Sequence, residues 1–253
     1  MMSSKGIQSK GKLTYLSATL QAPVYTYYQN AVTTQQGASV TIAEGTLGGT
    51  AYPVATLQGF NMNWLPKADT MYIQTQKEPM KLFKEEFAFK GVAKLSPGGL
   101  YGSGVVDNPV ANVTAPELHF KQRGFSGNHA TMIAKSDVQG RPAIRAQDMA
   151  FNYDLTEGFV DFASEQKGVA SIEFPKAQYK TSMSSARWDI NTQRVNLKAD
   201  EGKNWFYSQH PGQDSLRFMA ASGEYDLKKN TLLAGGVPHI AVADVYVVPD
   251  SGK

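Results

Sequence analysis

Apolar and polar residues alternate with a period of two along most of this chain, and Gly, Asn, Asp and Pro interrupt the alternation at short intervals. Successive side chains of a strand point to opposite faces, so the pattern predicts strands bounded by turns. No window carries apolar residues at i, i+3, i+4 and i+7 for longer than about two helical turns. The best helical candidate, Trp205 to His210, is short and runs into Pro211-Gly212, which stops propagation. The expectation is an all-β chain.

Three segments are similar to one another: Met149 to Leu155, Ser184 to Ile190 and Ala221 to Leu227. Each carries an aromatic residue, an Asp and an aliphatic residue in succession, at Tyr153-Asp154-Leu155, Trp188-Asp189-Ile190 and Tyr225-Asp226-Leu227. A polar three-residue turn follows each (Thr156 to Gly158, Asn191 to Gln193, Lys228 to Asn230), then a second strand. The aromatic positions are 35 and 37 residues apart, and a fixed period of roughly 20–50 residues marks a repeat architecture. Weaker echoes lie upstream. Ala115 to Phe120 parallels Ala22 to Tyr27, and Tyr27 to Trp64 is again 37 residues. The Gly-rich stretch Leu95 to Gly104 reads as a turn pair or an inserted loop, and Ile240 to Asp250 as the opening of a further unit ended by Pro249. The chain therefore divides into a β region at 1–110, with irregular insertions and faint repeats, and β-solenoid repeats at 111–253, one continuous stack being possible.

One face of the repeats reads Met149, Phe151, Tyr153, Leu155; then Ser184, Ala186, Trp188, Ile190; then Met219, Ala221, Gly223, Tyr225, Leu227. Val160, Phe162, Val195 and Leu197 continue it in the following strands, while Asn152, Asp154, Arg187, Asp189, Glu224 and Asp226 take the opposite face. Stacking such copies buries an apolar interior under a wet exterior. The expected fold is a repetitive β-solenoid or β-jelly roll with repeats of about 35–37 residues. Its end strands are left unpaired, so neighbouring β-solenoid subunits, or the remainder of a longer chain, are the expected partners by edge-strand pairing.

Charged residues make up 19% and the net charge is +3, with no Lys/Arg run interleaved with aromatics. No nucleic-acid partner is expected. Lys81 to Lys90 alternates in sign and reads as a solvated stretch. Cysteine is absent, which removes disulfides, thiolate catalysis and zinc ribbons together. No apolar run approaches the roughly 20 residues of a transmembrane helix, and the first residues have no apolar signal-peptide region. Because the sequence starts and stops within a recurring pattern, a segment of a longer exported chain is expected rather than a cytoplasmic protein.

Candidate chemistry is sparse. His119 and His129 are ten residues apart, with no HExxH motif or carboxylate at ligand spacing, and read as solvent-facing strand residues. His210 is close in sequence to Asp214 and Ser215, yet a triad needs a nucleophile on a strained elbow, and Gly102-Ser103-Gly104 is only a turn. Asp154, Asp189 and Asp226 recur in register. Beside a turn they bond local amides, the alternative being a calcium- or saccharide-binding row. Gly98-Gly99 lacks the Lys and helix of a phosphate loop. No catalytic residue, metal or cofactor is expected.

The recurrent unit at 144–162, 181–197 and 217–234, with Ala243-Asp244 opening a new strand, resembles the OstA-like domains of the Gram-negative lipopolysaccharide-transport bridge. The resemblance is clearest in the C-terminal half, while Asn30 to Thr50 and Lys77 to Gly104 have no counterpart. It implies a V-shaped β-jelly roll with a lipid-binding interior, in the cell envelope, periplasmic or associated with the outer membrane. The implied apolar lining is Met149, Phe151, Tyr153, Val160, Phe162, Trp188, Ile190, Val195, Tyr225 and Leu227. Spacing by itself gives only an apolar interior. Tyr153, Trp188 and Tyr225 fill it if it is closed and line a groove if it is open. Two functions follow: a non-enzymatic envelope solenoid that holds or conducts lipopolysaccharide-like lipid, or a structural or adhesive spacer whose outer face docks protein or polysaccharide.

Overall fold

The computed structural model describes residues 2–3, 6–138, 140–166, 168–199, 204–213 and 216–250. It is all-β, with 65% strand, 3% helix and no helix of seven or more residues. Trp205–Ser208, within the best helical candidate, is a strand. The chain forms two compact units, Met1–Asn108 with Ala115–Phe125, and Pro109–Thr114 with Ser126–Lys253.

The first unit is built from β1 (Met2–Ser3), β2 (Gly6–Tyr15), β3 (Ala18–Tyr27), β4 (Val32–Ile42), β5 (Gly45–Leu47), β6 (Thr50–Tyr52), β7 (Ala55–Leu65), β8 (Thr70–Thr75), β9 (Met80–Leu82), β10 (Phe87–Ser96) and β11 (Gly99–Asp107). Each long strand pairs antiparallel with the next along β2–β3–β4–β7. Beyond β7, the pieces β8 and β9 together fill the place of one strand between β7 and β10, and β11 pairs with the other edge of β10. A line of irregularities crosses it. The register shifts between Ser9 and Gly11, between Gln21 and Thr26, and between Thr34 and Gly37. On the same line in β10 and β11, Gly91 faces Gly104. Their φ angles are 153° and 148°, and a Cβ on either would lie 2.1 Å from the Ser103 carbonyl oxygen or 2.2 Å from that of Lys90. Only glycine fits there.

Bulges bend strands and let one strand serve two layers. The unit folds back along this line. Tyr15 of β2 packs on Trp64 of β7 with ring centroids 5.4 Å apart, although β3 and β4 lie between them in the sheet. The Tyr15 hydroxyl donates to the Asp69 carbonyl at 2.6 Å and sits 2.9 Å from its carboxylate. Burial pushes the Tyr15 pKa well up, with Asp69 adding to it. The β5–β6 hairpin is tied to the β10–β11 turn, where Tyr52 donates to the Ser96 carbonyl and Thr50 to that of Pro97, both at 2.8 Å. Leu20, Ile42, Phe60, Ile73, Phe89 and Leu95 are buried between the layers.

The division between the units crosses β12 (Ala111–Lys121) and β13 (Gly124–Ala134). The second unit continues with β14 (Ile144–Asp154), β15 (Phe159–Ser164), β16 (Ile172–Phe174), β17 (Tyr179–Thr181), β18 (Ser185–Asp189), β19 (Arg194–Lys198), β20 (Trp205–Ser208), β21 (Arg217–Met219), β22 (Ser222–Asp226), β23 (Thr231–Gly235), β24 (Ile240–Val242) and β25 (Val245–Val247). Two antiparallel layers result. The first runs β14–β15–β18–β19–β22–β23, and the second β14–β16–β17–β20–β21–β24–β25. The chain lays one hairpin in one layer and the next in the other. β14 serves both, and Asp148, with φ 54°, marks its bend. The layers meet face to face: Phe174 of the second packs on Tyr225 of the first at 4.7 Å.

The face reading needs one correction. Alternation puts Met219 and Ala221 on the face of Gly223 and Tyr225. Met219 instead belongs to β21 in the second layer, opposite Trp205, and Ala221 is exposed. The chain changes layers between β21 and β22, and a period of two cannot persist through that crossing.

Candidate apolar ligand site

The ten residues expected to line the interior fall into two groups. Met149, Phe151, Tyr153, Val160, Phe162, Trp188, Val195 and Tyr225 are buried, all at 5% exposure or less. Ile190 and Leu227 lie just past the ends of β18 and β22 and are half-buried. Adjacent residues take opposite faces as the alternation requires: Trp188 is 1% exposed, and Asp189 faces outward. Among the described residues the Trp188 indole N–H has no hydrogen-bond partner. Burial pushes the Tyr225 phenol up to about 12, and its hydroxyl lies 3.4 Å from Asn230. Along this stretch the two layers are packed shut.

The packing stops at the far end of the unit. A cavity of about 780 Å³ is lined there by Leu197, Leu232 and Ala234 of the first layer, by Phe218 and Ile240 of the second, and by Val237 between them. Gly223 thins the wall, since a Cβ there would come within 2.8 Å of Leu197 and 2.9 Å of Phe206. Asn196, Lys198, Glu224 and Leu233, from the outward face of the first layer, form its rim. Among the described residues no strand pairs with the outer edge of β23 or of β25. Around that edge Leu233, Val245, Tyr246 and Val248 are at least 61% exposed. The sequence reading missed Leu232 and Ala234. The register was available: Tyr225 faces Leu232 and Gly223 faces Ala234 across the Lys228–Asn230 turn, so counting through the hairpin finds them.

The recurrent aspartates serve their own turns. Asp154 accepts the amides of Thr156 and Glu157 at 2.8 and 2.9 Å. Asp189 accepts those of Asn191 and Thr192 at 2.9 Å, and Asp226 those of Lys228 and Lys229 at 3.0 Å. These amides hold the Asp189 and Asp226 carboxyls below the usual carboxylate range. Phe159 stands between Asp154 and Asp189, and Arg194 between Asp189 and Asp226. Successive aspartates are thus two strands apart, about 10 Å, too far to share an ion. Among the described residues no three His, Asp or Glu side chains converge on a metal position.

No family model and no curated protein matches this chain. The histidines are dispersed. His119 stacks on Tyr101 at 4.6 Å, and burial lowers its pKa, helped by Lys121. His129 Nδ1 lies 2.8 Å from the Asp148 carboxylate, which also accepts from Gln166 at 3.1 Å. Alternation does not announce this pair, because both residues adopt left-handed backbone, with φ 50° at His129 and 54° at Asp148. His210 Nδ1 accepts the Gly212 amide at 3.0 Å, and its sequence neighbours Asp214 and Ser215 lie outside the described residues. Among the described residues no helix is long and apolar enough to cross a membrane.

Proposed function

We propose that this chain is a non-enzymatic β-scaffold of the bacterial cell envelope, periplasmic or associated with the outer membrane, that holds a lipid acyl chain at the open end of its second unit. The observation that carries the reading is the apolar cavity of about 780 Å³ beyond Gly223, within the roughly 300–1,000 Å³ of ordinary ligand sites. Apolar area removed from water, at about 25 cal/mol per Å², supplies the affinity, and Lys198 at the cavity rim meets an anionic head group. Successive first-layer hairpins are read as copies of one repeat of about 35–37 residues, and the recurrent unit resembles that of the OstA-like domains. The unpaired edges of β23 and β25 take a strand from a neighbouring subunit or from more of the same chain.

A photo-crosslinking side chain at Leu232 is expected to capture lipid in cells, and one at Thr231, on the opposite face and outside the cavity lining, is not. Mass spectrometry of lipid extracted from the natively purified protein identifies the cargo. Capture at neither position, with no co-purifying lipid, leaves the second reading, a spacer. The burial of Trp188, Phe162 and Tyr225 at 2% or less favours that reading for the middle of the unit.

A further inference from the structure

The two outer faces of the second unit differ in sign and in how their charges are used. On the first layer, five carboxylates (Asp154, Asp161, Asp189, Glu224, Asp226) face outward with three cations (Arg187, Arg194, Lys198). Arg187 grips Asp161 through two bonds of 2.7 Å, and Arg194 reaches Glu224 at 3.1 Å. Two of its three cations are thus paired, and the face keeps an excess of two carboxylates.

The second layer has the opposite excess. Its register sets Arg145 opposite Glu173, Glu173 opposite Lys180, Lys180 opposite Tyr207, and Tyr207 opposite Arg217. The neighbours Ile172, Phe174, Thr181 and Phe206 are buried, so by alternation this row points away from the interior. Three cations stand against one carboxylate, and among the described residues Lys180 and Arg217 form no ion pair. Both are braced on rings instead: the Lys180 ammonium lies 5.9 Å from the Tyr207 centroid, and the Arg217 guanidinium 4.9 Å from that of Trp205. Strand spacing sets Arg145, Lys180 and Arg217 about 10 Å apart in line, close to the length of a disaccharide.

We propose that this face docks an acidic polysaccharide. Carboxylates on alternate sugars meet the three cations, and the Glu173 carboxylate and Tyr207 hydroxyl meet sugar hydroxyls in the gaps. Single-stranded nucleic acid fits less well, because it needs free ring faces for base stacking and here the cations cover them. A lipid surface would need protruding apolar anchors, which the row lacks. The proposal does not depend on the cavity or its cargo.

The test is calorimetric titration of the full chain with polygalacturonate at low ionic strength. Binding is expected, with none to neutral dextran. The double variant Lys180→Gln/Arg217→Gln should bind about tenfold more weakly, for the loss of two charge contacts. Lys228→Gln/Lys229→Gln removes the same charge from exposed turn positions and should leave binding unchanged. Should the first double variant lose its far-ultraviolet strand signal, the single variants decide, at about threefold each. No binding to polygalacturonate, equal loss from both double variants, or tighter binding to oligo-dT or to phosphatidylglycerol vesicles overturns the proposal.

Discussion

The two units reach a two-layered β structure by different routes. In the first, strands of 9 to 11 residues such as β4, β7, β10 and β11 run through both layers and bend on a shared line of bulges. In the second, apart from β14 and the shared β12 and β13, strands of 3 to 6 residues stay within one layer, and the chain crosses between them. The difference locates the sensitive positions. A bent strand depends on the backbone at its bend, where Gly91 and Gly104 permit what no other residue can. A hairpin that stays in its layer depends on what is packed beneath it, where Trp188 and Tyr225 carry the weight.

Replacing Trp188 with Ala should have the largest effect. Truncating a fully packed aromatic costs about 3–5 kcal/mol, measurable by denaturant unfolding, and a loss under about 1 kcal/mol would mean the layers are not closed there. Next comes Gly91→Ala in the first unit. The disallowed backbone alone costs about 1–3 kcal/mol, and the approach to Ser103 adds to it. Gly140→Ala, where a Cβ meets nothing within 4 Å, should show only the backbone part of the penalty. A smaller effect is expected at the cavity. Leu232→Ala removes a half-buried side chain and should cost about 1 kcal/mol, below the roughly 2–5 kcal/mol of a packed leucine, while weakening lipid capture.

The smallest prediction concerns pH. The hydrogen bond to Asp148 raises the His129 pKa above its ordinary 6.5. The pair's contribution to stability is therefore complete below pH 6.5 and is lost as pH rises through the higher folded value. A proton NMR titration of His129 should give a midpoint above 6.5 that falls in Asp148→Asn. A midpoint unmoved by that substitution would dissociate the two residues.

Legibility in the sequence followed the same division. In the second unit the aromatic-Asp-aliphatic triplets lie where strands end and turns begin, and eight of the ten lining residues chosen from alternation are buried. Local order suffices there, because each hairpin pairs with itself. It failed at Met219, where the chain changes layers, and at Asp148, where left-handed backbone turns a side chain toward a neighbouring strand. In the first unit Asn30 to Thr50 had no counterpart in the repeats, yet β4 occupies most of it. A bulge breaks the period of two midway through a strand, so a long bent strand reads as two short ones. The cavity was missed for another reason. An empty space is a property of where packing ends, and no residue type announces it.

The contact between Tyr15 and Trp64 bears on the order in which the chain acquires structure. Tyr15 reaches residues 49 and 54 positions ahead, at Trp64 and Asp69. That contact forms only after β3, β4 and β7 have been synthesised and aligned, and closing so wide a loop is slow. The hairpins at Asp189 and Asp226 close over a few residues and can zip as they emerge. The first unit's fold-back should then be the slow kinetic phase of refolding, and Tyr15→Phe, which removes the hydroxyl bond to Asp69 but keeps the ring, should act on unfolding more than on the early hairpin signal.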